Sequence, residues 1–275
     1  MTKIWFITGA SRGLGRIWAE AALSRGDKVA ATARTVEGVA DLAQRFGDSV
    51  LPLALDVTDA EQVRRVVEQA HAHFGRLDIV VNNAGYSLVG TIEEASEADV
   101  RALFETNYFG TIRVIQAALP LLRQQGSGHI LGVSSGLGIV PMPLIGFYCS
   151  SKAAIESLHE SLAQEVKPFG IHVTLIEPGA YATEFGSPAS LKMSAGLDVY
   201  NGFREGIFAH LSGEKRGDPQ ATAAAMLQIV DAPEPPLRFI LGNQNLPQAR
   251  AAYADRIATW EAWESVSNAA QGESR

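Results

Sequence analysis

Cys149 is the only cysteine in the 275-residue chain, so no disulfide can close within it, and no cysteine–histidine grouping has zinc-site spacing. Basic residues are in the minority, 23 against 30 acidic. The net charge of −7 therefore lacks the positive footprint of a general nucleic-acid binder. Long apolar runs are missing too. The first, at residues 4–8, is too short for a signal-peptide core, and no later run nears the ~18 residues of a membrane span. Internal repeats, low-complexity tracts and a linker between domains are likewise absent. These absences lead to the expectation of a soluble cytoplasmic protein without nucleic-acid or membrane partners.

Core material is plentiful, with 47% of residues hydrophobic. Short apolar runs alternate with longer amphipathic ones. IWFIT (4–8), KVAATA (28–33), VLPLAL (50–55), DIVVN (78–82), GHILGVS (128–134), IHVTLIE (171–177) and RFILG (238–242) read as strands. Between them lie helical patterns such as residues 60–74, with Val63, Val66, Val67 and Ala70 on one stripe, Asp59 as N-cap and Gly75 as stop. Seven strands alternating with helices predict an α/β fold. Its form is a single-domain, doubly wound, seven-stranded parallel sheet with helices on both faces. That domain spans 1–245, and 246–275 forms a helical extension of it with Tyr253, Ile257, Trp260 and Glu264 on one stripe. Residues 184–216 break the rhythm without a clear strand and are expected to form a lid.

The first strand runs into T-G-A-S-R-G-L-G (8–15) and then a helix. A glycine turn that opens a helix presents backbone N–H groups to a pyrophosphate. The spacing is G-x-x-x-G-x-G, not the general dinucleotide fingerprint. After the second strand, where a 2′-hydroxyl would call for a carboxylate, the chain has Ala33, Arg34 and Thr35. Arg12 in the turn is expected to join Arg34 on a 2′-phosphate, so NADP is predicted in preference to NAD. Further along, FYCSSK (147–152) offers a phenol, a thiol and an amine at a helix start. Tyr148 and Lys152, at i and i+4, share a helix face.

These elements resemble the short-chain dehydrogenases/reductases, in their standard-length branch. The matching stretches are TGASRGLG, Asp56, NNAG (82–85), Asn107, GVSSGLG (132–138), Tyr148-x-x-x-Lys152 and PGAYAT (178–183), spread over about residues 3–185 in the family's order. The resemblance implies that Gly9, Ser11, Arg12, Gly13, Leu14 and Gly15 hold the diphosphate. It places Asp56 and Val57 at the adenine, Asn83, Ala84 and Gly85 on the adenosine side, and Pro178, Gly179 and Thr183 at the nicotinamide. It implies Ser135, thirteen residues before the tyrosine, as the catalytic serine, with Tyr148 and Lys152 also touching cofactor. Asn107 would support a water that links the lysine to solvent. The family's dimers and tetramers imply a homo-oligomer.

Carbonyl reduction needs a hydride on carbon and a proton on oxygen, and a nicotinamide supplies the first. The protein must bind, orient and protonate. A free phenol, at ~10, is too reluctant an acid near neutrality, and a neighbouring ammonium is expected to lower it. Cys149, one residue on from Tyr148 and without a histidine base at suitable spacing, reads as a packing residue. The expected activity interconverts a carbonyl and an alcohol with NADP(H). The alternative is an NADPH-binding sensor that does not turn over, although a sensor would be free to lose Asn107, Ser135, Tyr148 or Lys152. Leu88, Val89, Ile139, Met142, Leu144, Phe147, Tyr181 and Phe185 are expected to surround the substrate, with Met193, Leu197, Tyr200, Phe203 and Phe208 from the lid. Such a wall suits a hydrophobic ketone, aldehyde or secondary alcohol.

Overall fold

The computed structural model describes residues 2–213 and 215–272. In chain order the strands are β1 (Ile4–Ile7), β2 (Lys28–Ala33), β3 (Val50–Ala54), β4 (Ile79–Asn82), β5 (Ser87–Val89), β6 (Gly128–Val133), β7 (Ile171–Pro178), β8 (Leu191–Met193) and β9 (Arg238–Leu241). The helices of the first half are α1 (Gly13–Ser24), α2 (Glu37–Phe46), α3 (Ala60–Phe74), α4 (Glu97–Phe104) and α5 (Gly110–Gln125). They are followed by α6 (Gly136–Ile139), α7 (Gly146–Val166), α8 (Asn201–Ser212), α9 (Thr222–Asp231), α10 (Asn245–Ala262) and α11 (Glu264–Gln271).

The seven apolar runs become one parallel sheet in the order β3-β2-β1-β4-β6-β7-β9, as the alternation of patterns predicts. Side chains along each strand divide between two cores. Trp5, Ile7, Val81 and Leu131 face α1, α2 and α9, whereas Phe6, Val80 and Ile130 face α3, α5 and α7. The buried indoles keep their donors satisfied: Trp5 Nε1 donates to Asp27 at 2.9 Å and Trp18 Nε1 to Thr222 at 2.9 Å. The Asp59 side chain caps α3 at the N–H of Gln62, and Gly75 ends the helix with φ of +82°.

Strand order reverses direction between β1 and β4, so the loops after these strands part and leave a crevice at the C-terminal edge of the sheet. The segment expected to lack a strand contains one. β8 pairs in parallel with β5 as a separate two-stranded sheet, and α8 follows it. Three-residue strands leave too little periodicity to read, and Gly202 and Gly206 mask the helix. Among the described residues no helix is long and apolar enough to cross a membrane.

Glycine at 132 lets α7 lie close on β6. A β-carbon there would stand 2.6 Å from Cε1 of His159, which is fully buried on α7. Gly132→Ala is expected to destabilise the protein by about 1–3 kcal/mol through overpacking. Gly206→Ala, in the helix α8 with nothing within 4 Å of the added carbon, should instead gain up to about 1 kcal/mol. Thermal melts of the two variants beside the wild type check both signs.

Candidate active site

The turn after β1 is held from behind. Thr8 Oγ1 accepts the N–H groups of Asn83 (2.9 Å) and Ala84 (3.0 Å) and itself donates to the Val81 carbonyl. Asn83 Nδ2 returns two bonds, to the carbonyls of Thr8 (2.9 Å) and Gly9 (3.0 Å). Gly9 and Gly13 adopt φ of +67° and +58°, a conformation that side chains resist. Gly15 does not line the crevice. It packs behind the turn, where a β-carbon would come within 2.6 Å of the Gly9 carbonyl. Asn83 thus braces the turn as well as lining the cleft, and Thr8 is a support that the motif alone did not single out.

At the other end of this wall, Arg34 stands exposed after β2, and Ser11, Ala33 and Gly38 crowd together. The Asp56 carboxylate accepts from the N–H (2.9 Å) and hydroxyl (2.7 Å) of Thr58. Arg12 and Arg34 both line this crevice, and the Arg12 guanidinium donates to the Ala189 carbonyl at 2.7 Å, in the segment after β7. Arg12 is the extended N-cap of α1, and its side chain reaches across the crevice mouth to an unpaired loop carbonyl.

Opposite lie Ser135, Tyr148 and Lys152, all buried and all lining the same crevice. Ser135 leaves β6 as the N-cap of α6, accepting from the Leu137 N–H at 3.2 Å. Lys152 Nζ donates to the Val133 carbonyl at 2.8 Å and lies 5.7 Å from the centre of the Tyr148 ring. Burial lowers the lysine to about 8. The same burial pushes the Tyr148 phenol above its ordinary value, with the Ser135 hydroxyl pulling it back. The net shift is therefore upward, opposite to the lowering expected from Lys152, because desolvation of the phenolate dominates. Cys149 is buried, and burial raises its thiol.

Asn107 does not line the crevice either. It lies in a π-helical turn, Glu105–Phe109, between α4 and α5. Its carboxamide donates to the Tyr86 carbonyl (3.0 Å) and the Ser151 hydroxyl (3.1 Å) and accepts the Tyr86 N–H (3.0 Å). A β-carbon on Gly85 would stand 3.0 Å from Asn107 Oδ1 and 3.6 Å from Lys152 Nζ, so the three meet at close quarters. Ser151, which had no role in the sequence reading, is fully buried and also donates to the Tyr148 carbonyl at 2.8 Å.

Behind Ser135 is a second polar layer. Ser134 Oγ donates to Glu156 at 2.8 Å, and Arg238 reaches Glu156, Glu160 and Glu177. Burial and the neighbouring carboxylates raise Glu177 to about 7, against the pull of Arg238. Asn245, at the start of α10, donates to the Glu177 carbonyl at 3.2 Å. Its carboxamide fills the space beside Gly136 and lies 3.4 Å from where a β-carbon of Gly179 would be. These contacts had no sequence signal beyond a charged residue inside an apolar strand.

The crevice encloses about 1170 Å³. Val89, Met142, Leu144, Tyr181, Phe185 and Phe208 line it as expected. Leu88 is instead packed under Tyr148 with Leu103, while Met193, Leu197 and Phe203 are exposed on the outer side. Ile139, Phe147 and Tyr200 also lie off the lining, and Leu137, Val140, Ile145, Ile207 and Leu211 take their places. The remaining predicted residues, Gly9, Ser11, Gly13, Leu14, Asp56, Val57, Ala84, Gly85, Pro178, Gly179 and Thr183, all border it. Among the described residues no cluster of acidic, histidine or cysteine side chains could hold a metal.

A parallel doubly wound sheet, a glycine turn at its switch point and a Tyr-x-x-x-Lys helix across the crevice define a dinucleotide-binding oxidoreductase architecture. A family profile described as short chain dehydrogenase matches residues 3–193, and the chain belongs to this family. It is 42% identical to the oxidoreductase BOA17 of Botryotinia fuckeliana (strain B05.10), over 97% of this chain and 98% of that protein. It is 35% identical to a 3-ketodihydrosphingosine reductase of Bacteroides thetaiotaomicron, over 87% of this chain and 88% of the relative. A crystal structure of a short-chain dehydrogenase from Streptomyces avermitilis superposes with a TM-score of 0.91, at 38% identity and 98% coverage of both chains.

Glu177 gives a pH test. A carboxyl raised from 4.5 to about 7 binds its proton more tightly when folded. Its contribution to stability is therefore full below about 4.5 and is lost as pH rises through about 7. Glu177→Gln should melt higher than wild type at pH 8, and the gap should close at pH 5.

Proposed function

We propose that the protein interconverts a carbonyl and an alcohol with NADP(H), with Tyr148 as the acid–base group and an apolar ketone, aldehyde or secondary alcohol as substrate. One observation carries this reading: Ser135, Tyr148 and Lys152 line one end of a crevice whose other end is the glycine turn and Arg34. Its volume of about 1170 Å³ exceeds the ~300–1,000 Å³ usual for a single small ligand, which suits a dinucleotide and a substrate side by side.

The turn at 9–14 fits a pyrophosphate because its backbone is bare of side chains at Gly9 and Gly13 and is braced from behind by Asn83. Asp56 and Val57 would border the adenine, Ala84 and Gly85 the adenosine side, and Pro178, Gly179 and Thr183 the nicotinamide. When bound, the nicotinamide supplies or accepts the hydride. Ser135 orients the carbonyl oxygen by donating to it, and Tyr148 delivers the proton there. Lys152, pinned to the Val133 carbonyl, keeps a positive charge beside the phenol and favours its ionised form as the proton leaves. Asn107 acts through Ser151 and Tyr86, holding the backbone that carries Tyr148. The apolar lining from Met142, Leu144, Ile207 and Phe208 supports a hydrophobic substrate, in keeping with the 3-ketodihydrosphingosine in the name of the Bacteroides relative.

Preference for NADP rests on Arg34, exposed after β2 with no carboxylate beside it in sequence before Glu37. Tyr148→Phe is expected to lower turnover of an apolar ketone by about 10²–10⁴-fold with NADPH binding retained. Comparable turnover by the phenylalanine variant would remove Tyr148 from the role. Arg34→Ala should lower the NADPH-to-NADH ratio of kcat/KM by about 10–100-fold. An unchanged ratio would move the 2′-phosphate contact elsewhere.

A further inference from the structure

Residues 187–212 cross the substrate end of the crevice, and their attachment is unlike that of a hinged flap. The carboxylate of Glu94, in the turn between β5 and α4, is wholly shielded from solvent. Its Oε1 accepts the Leu197 N–H (2.9 Å) and the Arg204 guanidinium (2.7 Å), and its Oε2 accepts the Thr91 N–H (2.8 Å). Two of these three donors come from more than a hundred residues further along the chain. Arg204, itself only 15% exposed, also donates to the Leu197 carbonyl (3.2 Å) and the Asn201 side chain (3.1 Å), so one guanidinium ties α8, the loop before it and Glu94.

The β5–β8 pairing runs alongside. Ser87 N–H donates to the Ser190 carbonyl at 2.9 Å and Ser194 N–H to the Val89 carbonyl at 2.7 Å. The fit is close: a β-carbon on Gly90 would stand 2.6 Å from the Ser194 β-carbon, and one on Gly196 would stand 2.9 Å from Arg204 Nη2. At the rim, Tyr200 donates to Glu93 and Lys192 pairs with Asp99. On the inner side Leu191, Ile207, Phe208 and Leu211 face the crevice.

We propose that the Glu94–Arg204 pair clamps residues 187–212 to the β5–α4 turn, so that they form a fixed wall and the pair positions substrate without touching it or the cofactor. The positioning of substrate rests on the oxidoreductase reading above; the clamp itself does not. Three donors converging on one shielded carboxylate hold it ionised, and the same bonds lower its pKa to about 2. Removing either partner strands the other without its counter-charge. The wall would then loosen, while the glycine turn, Asn83 and Lys152, none of which bonds to Glu94, stay in place. Arg12 gives a separate tie to Ala189 that does not pass through the pair.

Glu94→Ala and the milder Glu94→Gln are compared with wild type in three measurements. Amide hydrogen exchange over 187–212, without substrate, should quicken by about tenfold or more in Glu94→Ala and less in Glu94→Gln. NADPH affinity, followed by its fluorescence, should stay within about twofold. With an apolar ketone, KM should rise by about tenfold while kcat falls by less than about threefold. Unchanged exchange in a cooperatively folded variant overturns the clamp. A joint loss of exchange protection and NADPH affinity also overturns it, since that marks general unfolding. Should Glu94→Ala not fold, Glu94→Gln and Arg204→Gln are held to the same directions. A wild type that turns over no carbonyl sinks the oxidoreductase reading and the positioning role, and leaves the exchange result to decide the clamp.

Discussion

A positive charge placed out of water has to be answered by something, and the Lys152 ammonium is answered by the Val133 carbonyl at the end of β6. That bond fixes where α7 lies. With Lys152 pinned there, Tyr148 one turn earlier is carried to the crevice, and Ser135, two residues past the end of β6, borders the same crevice at the start of α6. The approach is possible because β6 has glycine at 132, where the ring of His159 fills the space of a side chain. Ser135, Tyr148 and Lys152 are thus placed by how closely one helix can lie on one strand. The glycine turn is placed independently, by Thr8 and Asn83 at the ends of β1 and β4.

The division explains what could be read in the chain. Buried parallel strands are continuous apolar runs, so all seven were legible. Motif residues whose backbone or side chain borders the crevice were legible for the same reason: their chemistry depends on residue type at a fixed spacing. Gly15 and Asn107 carry the motif but work from behind it. Ser151, Asn245 and Glu94 were not legible, because each bonds a group distant in sequence that only the folded chain brings near. The bond from Arg12 to Ala189 was not legible because a long side chain at a cap can reach several acceptors, and composition does not choose among them. β5 and β8 are too short to show a period, and their pairing depends on chain segments about a hundred residues apart.

The negative charge of the chain also has a local meaning. Glu156, Glu160 and Glu177 share one guanidinium, that of Arg238, directly behind the serine loop. Burial and crowding raise both Glu156 and Glu177, which eases the excess of carboxylates over cations there. Elsewhere the pattern is inverted. Glu94 meets three donors, one of them a guanidinium, and is held ionised. One fold therefore raises the pKa of some buried carboxyls and lowers that of another, according to the donors each one meets.

Asn245 has a consequence for the order in which the protein comes into being. It stands more than a hundred residues after Ser135, yet its carboxamide occupies the space beside Gly136 and bonds the Glu177 carbonyl at the end of β7. During synthesis the glycine turn, the serine and the Tyr–Lys helix all emerge before this brace exists. A nascent chain short of residue 245 lacks the carboxamide that fills the space beside Gly136. The serine loop thus waits for α10, one of the last two helices to be made.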